Sequence, residues 1–399
     1  MPLKDTLTSL LSPGQTGSDF KPLNTPEEWR PRLDIEDGKG GYIVTQARPV
    51  GNSPDAETVL REFGLDPETW TVSSLRRSKW QTFSGEWLEA YRVNVLPASN
   101  VKSEQLDVEK LIDEIKKWRP SKEKVSRGTG AYSLFPSDQQ IGKRSGEFGT
   151  ETTVERILYL NDASVQKFRG LKKYGLGFGT IFLGLLGDHV EGITSQNGRL
   201  QGQAASDMGL TEQIRIARRL LLAQIKAHAP LAERMIVAIV NGNHDEVTRQ
   251  VVVDPAEGWN TEIASSVQDI CAENPALAHV EFRFPSPGNQ TLAVDVDGTL
   301  VGMFHGHQAP SNNVAKYLYG QATGQTAIGN ADVWVSGHYH NFRTMDVGNR
   351  LWVQCPTVDP GSDWFRDRSG MESKPGLLTM ALGGSFDPRE FISIIPVES

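Results

Sequence analysis

The sequence predicts an α/β fold built on a mixed or double β-sheet, with a small α+β module ahead of it. Three observations lead there. From Ala131 onward, short apolar runs alternate with long amphipathic helical patterns. Towards the carboxyl end, strand patterns dominate. Five of the expected strands end in short polar segments rich in His, Asp, Asn and Gln, and the carboxyl ends of strands are where open α/β sheets bind ligands.

Residues 1–30 are rich in Ser, Thr, Gly and Pro without periodicity and read as a loose lead-in. Gly41 to Thr45 reads as a strand. Asp55 to Phe63 reads as a helix, with Ala56, Val59, Leu60 and Phe63 on one face and Gly64 as its stop. Leu65 to Trp70 is expected to turn into a second helical piece. Lys79 to Gln81 and Trp87 to Val95 alternate around Ser84-Gly85, which predicts a β-hairpin. Together residues 31–97 predict a winged-helix-like module. Its Arg76, Arg77 and Lys79, beside Trp80, form a basic-aromatic patch that serves either as a nucleic-acid contact or as a solvated hairpin face. Residues 98–130 read as a helix, Leu106 to Trp118, and a polar linker containing Pro120.

The main domain is expected over 131–399. Its predicted strands are Tyr132 to Phe135, Thr180 to Leu186, Arg234 to Val240, Val280 to Phe284, Leu292 to Val296, Leu300 to Phe304 and Asp332 to Ser336, then Phe342 to Val347, Leu351 to Gln354, Leu377 to Leu382 and Phe391 to Ile395. Its predicted helices are Thr152 to Tyr174, Thr211 to His228, Trp259 to Ala272 and Val314 to Tyr319.

With 38% of its residues apolar and 23% charged, the chain has the composition of a soluble globular protein, and its 399 residues are enough for one large domain plus a smaller one or for two ordinary domains. A net charge of −8 excludes a global basic field, so a polyanion would need a local basic patch or bound cations. Cys271 and Cys355 form no CxxC pair and point to a reducing compartment. The start lacks the apolar core of a signal peptide, and runs such as Ile181 to Leu186 are too short to span a bilayer. A cytoplasmic protein without membrane contact is expected.

The five polar segments are Ser137 to Lys143, Gly187 to Gly192, Asn241 to Glu246, His305 to His307 and Gly337 to His340. They hold six of the eight histidines: His189, His244, His305, His307, His338 and His340. Two aspartates, an asparagine, a glutamine and several imidazoles make a mixed oxygen and nitrogen shell, which suits Mn, Fe or Zn better than Mg or Ca. A pair of ions needs a bridging carboxylate, and Asp188 is the natural candidate. Such a pair activates a water and clamps the oxygens of an in-line displacement at phosphorus.

The order D-x-(H/Q), GD, GNH(D/E), H, GHxH resembles the calcineurin-like metallophosphoesterase family, over roughly residues 131–355. The resemblance implies two facing mixed β-sheets flanked by helices, a four-layer fold, and a dinuclear hydrolase. It implies that Asp138, Gln140, Asp188 and His340 hold one metal and that Asp188, Asn243, His305 and His338 hold the other, with manganese the first expectation for both. It implies that His244 protonates the leaving oxygen, steadied by Asp245. The family usually has a histidine where this chain has Gln140, and an amide oxygen ligates more weakly than imidazole. A competing first motif at Asn161 to Lys167 falls inside a helical pattern and is set aside.

Among family branches, the SD-x-(H/Q)-x-G-K and GNHD strings look like SbcD-type nucleases and their phage relatives, as does the polar stretch Ile193 to Leu210. That implies a DNA nuclease, with a homodimer or a larger nuclease complex as the assembly to consider. Two alternatives stay open: a small-nucleotide phosphodiesterase or phosphatase, and a DNA-binding relative that has lost activity.

Overall fold

The computed structural model describes residues 31–36, 40–51, 54–82, 84–97, 110–121, 123–145, 148–193, 206–248, 250–310, 312–359, 361 and 374–397. The expected lead-in at 1–30 and most of the polar stretch after the second motif lie outside these residues. The chain divides into two compact units, Met1–Lys110 and Leu111–Ser399.

In the first unit, β1 (Arg32–Glu36), β2 (Gly40–Val44), β3 (Arg48–Pro49), β4 (Trp70–Gln81) and β5 (Trp87–Pro97) form one antiparallel sheet centred on β5. Helix α1 (Ala56–Glu62) begins at Asp55, whose carboxylate accepts the Thr58 N–H at 2.7 Å. It buries Val59 and Leu60 against Ile43, Tyr91, Val93 and Val95. The hairpin around Ser84-Gly85 forms. The winged-helix-like arrangement does not: α1 is the only α-helix among the described residues at 31–97, and Leu65 to Trp70 leads directly into β4. Trp70, Thr71 and Val72 are strand formers, and from Trp70 to Gln81 the segment pairs along the whole of β5. That ladder outweighs a short helix.

In the second unit, β6 (Gly130–Phe135), β7 (Phe178–Leu185), β8 (Arg234–Ile239) and β9 (Val280–Arg283) run parallel, and β15 (Gly376–Leu382) and β16 (Ile392–Pro396) extend them antiparallel in the order β16-β15-β6-β7-β8-β9. A second mixed sheet is made by β10 (Leu292–Val296), β11 (Thr299–Met303), β12 (Val333–Ser336), β13 (Arg343–Val347) and β14 (Arg350–Gln354) in the order β10-β11-β12-β14-β13. Helices α2 (Thr150–Lys173), α3 (Leu210–His228), α4 (Trp259–Ala272) and α5 (Val314–Thr323) complete it. Asn161 lies within α2, so the competing first motif is helical as expected.

The apolar strands divide by period two, as residues buried on both faces of a sheet must. Leu134, Leu183, Val237 and Ile239 pack with Ile157, Leu221 and Ile263 of the helices. Their neighbours Phe135, Phe182, Ile236 and Ala238 pack with Val301, Val335 and Val353 of the second sheet. Phe135 and Phe182 meet edge to face, with centroids 5.6 Å apart. On the far side of the second sheet, Leu318 of α5 covers Trp334 and Trp352. The stretch 119–130, expected as a linker, is instead part of this unit. The Ser126 N–H donates to Leu231 O at 2.8 Å, and Ser126 Oγ accepts the Phe178 N–H at 3.3 Å. Its polar character hid a segment tied at Ser126 to the turn before β8 and to the start of β7. Among the described residues, no helix is long and apolar enough to cross a membrane.

Candidate metal centre

The carboxyl ends of β6, β7, β8, β11, β12 and β14 deliver Asp138 and Gln140, Asp188 and Glu191, Asn243 and His244, His305, His338 and His340, and Asp359, respectively. The backbone there is strained. Seven non-glycine residues among those described have φ in the left-handed region, and five of them are Asp138 (51°), Gln140 (43°), Asp188 (54°), His338 (69°) and His340 (59°). Such positions cost of order 1–3 kcal/mol each and persist only where the surroundings over-determine them. Here the Asp138 N–H donates to Gly187 O at 3.1 Å and the Gln140 N–H to Asp188 O at 2.8 Å. Thr357 Oγ1 donates to Asp138 O at 2.7 Å. Gly242 is required by close approach, because a Cβ there would lie 2.0 Å from Asp188 Oδ1.

Asp188 is buried, and its Oδ1 accepts the His244 N–H at 2.8 Å. Its Oδ2 lies 2.9 Å from His305 Nε2, yet that nitrogen has no hydrogen-bond geometry to any partner. Asp138 Oδ2 accepts the Ser137 hydroxyl and, at 2.9 Å, the His338 N–H. Asp138 Oδ1 has no hydrogen bond and faces His340 Nε2 at 3.2 Å and His305 Nε2 at 3.9 Å. His305 Nδ1 is 2.7 Å from Leu186 O. A carbonyl only accepts, so Nδ1 carries a proton, and Nε2 is the nitrogen a metal would take by displacing the proton there. Ligand atoms of Asp188, His305 and His338 all lie within 4.8 Å of one another.

Burial works against charge on Asp138 and Asp188, but the surrounding histidines hold both carboxyls below their ordinary range. Burial works against the His305 cation too, and Asp188 and Asp138 overcome it, raising the ring to about 9. His338 moves the other way, to about 4, because burial dominates there. Orphaned buried donors, strained ligand backbones and a mixed oxygen and nitrogen set all fit a borderline divalent cation.

His244 donates its Nδ1–H to Glu191 O at 3.0 Å, with Glu191 Oε2 3.3 Å from the same Nδ1, while Nε2 lies 3.9 Å from Asp188 Oδ2. Burial opposes its charge, but Asp188 and Glu191 raise it to about 10. The expectation for Asp245 needs correcting. Its Oδ2 accepts the backbone N–H groups of Asp188 (2.7 Å) and Gly242 (2.8 Å), not the His244 ring. It immediately follows His244, and its side chain reaches back to staple the second and third motifs together. Glu191 takes the ring-orienting place. Asn243 stands in the same turn, between Gly242 and His244. His189 is buried and kept neutral by burial, at about 4.

Sequence reasoning missed Asp359. It is fully buried and ion-paired with Lys143, and its Oδ2 is 3.5 Å from His340 Nδ1. Lys143 sat in the first motif, but nothing in the sequence joined it to a residue so far along the chain.

The expected nucleic-acid contacts all lie in the first unit and differ in surroundings. Arg77 is ion-paired with Glu89, which is fully buried and also accepts the Tyr91 hydroxyl at 2.8 Å. Lys79 Nζ lies 5.0 Å over the Trp87 ring. These two serve the hairpin. Arg76 is exposed, opposite Arg92 across the β4–β5 ladder. Arg92 lies 4.4 Å and Arg32 5.2 Å from the Tyr42 ring centroid. Arg32, Arg92 and Arg76 thus line one row of the sheet, without an ion pair among the described residues. Arg32 and Arg92 went unseen because strand order brings them together.

No protein-family model and no curated protein matches this sequence. Among solved structures it is similar to an archaeal phosphodiesterase (13% identity, 66% of this chain and 99% of the other, TM-score 0.31). It is similar to Vps29 from Entamoeba histolytica in complex with Zn (15%, 67% and 99%, 0.27). It is also similar to a hypothetical protein from Pyrococcus horikoshii (11%, 67% and 88%, 0.33). Likenesses this low add nothing to the geometry.

Proposed function

We propose that the chain is a metal-dependent phosphoesterase of the calcineurin-like type, with that family's four-layer fold, and that it hydrolyses phosphodiester bonds in DNA. The convergence of Asp188, His305 and His338 on one space, beside the unpartnered Asp138 Oδ1, carries the reading. Asp138, Gln140, Asp188 and His340 would hold one divalent ion and Asp188, Asn243, His305 and His338 another, with manganese favoured over iron or zinc. Bound there, the ions supply Lewis acidity and a water made nucleophilic at neutral pH. The chain itself supplies a rigid ligand frame and a proton. Held as an imidazolium by Asp188 and Glu191, His244 is placed to protonate a leaving oxygen. The test is manganese-dependent hydrolysis of labelled single- and double-stranded DNA beside bis-p-nitrophenyl phosphate. Loss of both activities in chelator and recovery on adding manganese is expected; no hydrolysis of any diester would sink the reading.

A cleft of about 350 Å³ lined by Gly242, Asp245, Thr248, Gln290 and His307 favours a second reading, a small-nucleotide phosphodiesterase. Turnover of a nucleotide diester with DNA left intact would select it.

Glu191→Gln is expected to move the basic limb of the pH–rate profile to lower pH. Removing the carboxylate lowers the pKa of His244, so its acid form is lost sooner as pH rises. An unmoved limb would mean that His244 is not the titrating acid.

For DNA, the row of Arg32, Arg92 and Arg76 is the contact we favour. Replacing all three with alanine is expected to weaken single-stranded DNA binding. The slope of log K against log salt should become shallower by about two, at roughly 0.7 for each phosphate that is no longer neutralised. Unchanged binding in anisotropy titrations would make this face a partner or packing surface.

A further inference from the structure

We propose that Lys143 sets the two ion positions apart, so that the chain alone holds one divalent ion tightly and the other weakly. This rests on the phosphoesterase reading above. Gln140 Oε1 accepts a hydrogen bond from Lys143 Nζ at 2.6 Å, and the same ammonium is ion-paired with Asp359. Lys143 is only 14% exposed and Asp359 is fully buried. Asp359 is itself fixed: Oδ1 accepts the Gly361 N–H at 2.9 Å, its N–H donates to Thr357 Oγ1 at 2.9 Å, and its carbonyl accepts Arg156 at 2.5 Å. The ammonium cannot swing away without stranding a buried carboxylate.

Two consequences follow for the Asp138, Gln140 and His340 side of the centre. One lone pair of the Gln140 oxygen is already used, and a fixed positive charge stands beside it in a poorly solvated place, where like charges repel strongly. Asp188, His305 and His338 have no lysine or arginine contact among the described residues. Each proposed ion has one amide ligand, Gln140 or Asn243, but only the Gln140 side carries a resident cation.

The experiment is native mass spectrometry and manganese titration, followed by the spin-resonance signal of free ion, on the full chain stripped by chelator. Wild type should bind one ion tightly and a second at least about tenfold more weakly. Lys143→Met frees Gln140 and leaves the Asp359 charge to attract a cation, so the second affinity should rise by about 10–100-fold, the usual reach of groups behind a ligand. Lys143→Gln, which keeps a donor without charge, should act in the same direction and covers a folding failure of the methionine variant. Lys143→Arg should keep the gap. Two equal ions in wild type, or a gap unchanged in both neutral variants, would overturn the role of Lys143. No bound ion in any form would overturn the metal reading beneath it.

Discussion

Asp188→Asn is expected to reduce hydrolysis of bis-p-nitrophenyl phosphate by more than about 100-fold and to lower the retained metal after dialysis. Changes merely behind a ligand already cost about 10–100-fold in affinity or activity, and Asp188 is the ligand both proposed ions share. The variant should fold. Asparagine has nearly the same shape, and its carbonyl oxygen can still accept the His244 N–H that Asp188 Oδ1 accepts. What disappears is a buried negative charge that Asp138 and Asp245 repel but that His305 and His244 hold more strongly. The metal-free variant should therefore melt lower than metal-free wild type at neutral pH, where the depressed Asp188 carboxyl contributes stability, and the benefit of added manganese should shrink. A variant retaining full activity and metal would remove Asp188 from the centre.

His244→Ala should slow cleavage of a deoxyribose diester by about 10²–10⁴-fold, the usual reach of general-acid help. A p-nitrophenyl diester should suffer much less, because that leaving group departs without a proton. Metal content should stay normal, since the His244 ring is held by Glu191 while its backbone N–H supports Asp188. Alanine keeps that N–H. Equal losses on the two substrates would mean that the ring positions phosphate. Loss of metal would make His244 a ligand.

Much of the second unit was legible in the sequence. Apolar strands and amphipathic helices write their own period, and the polar strand ends could be read because ligands follow strands directly. What stayed hidden was set by register and strand order. Glu191 meets His244 because β7 and β8 are neighbours, and Asp359 meets Lys143 only once β14 is seated beside β12. Asp245 was misread because adjacency to His244 suggested a side-chain contact, whereas its carboxylate is turned onto backbone amides. In the first unit, Leu65 to Trp70 carried turn chemistry that a helix or a strand could equally follow, and pairing with β5 decided it.

The strained ligand turns also bear on how this protein keeps its shape in a cell. Five ligand-bearing residues sit in costly backbone conformations around two buried carboxylates, so the empty frame is an expensive form of the chain. A cation that binds only the folded form repays this by mass action, about 2.7 kcal/mol at a hundred times its dissociation constant. With the centre as proposed, thermal survival would follow the free concentration of the ion, and starvation for the metal would remove protein as well as activity. Abundance and catalysis would draw on the same pool of ions.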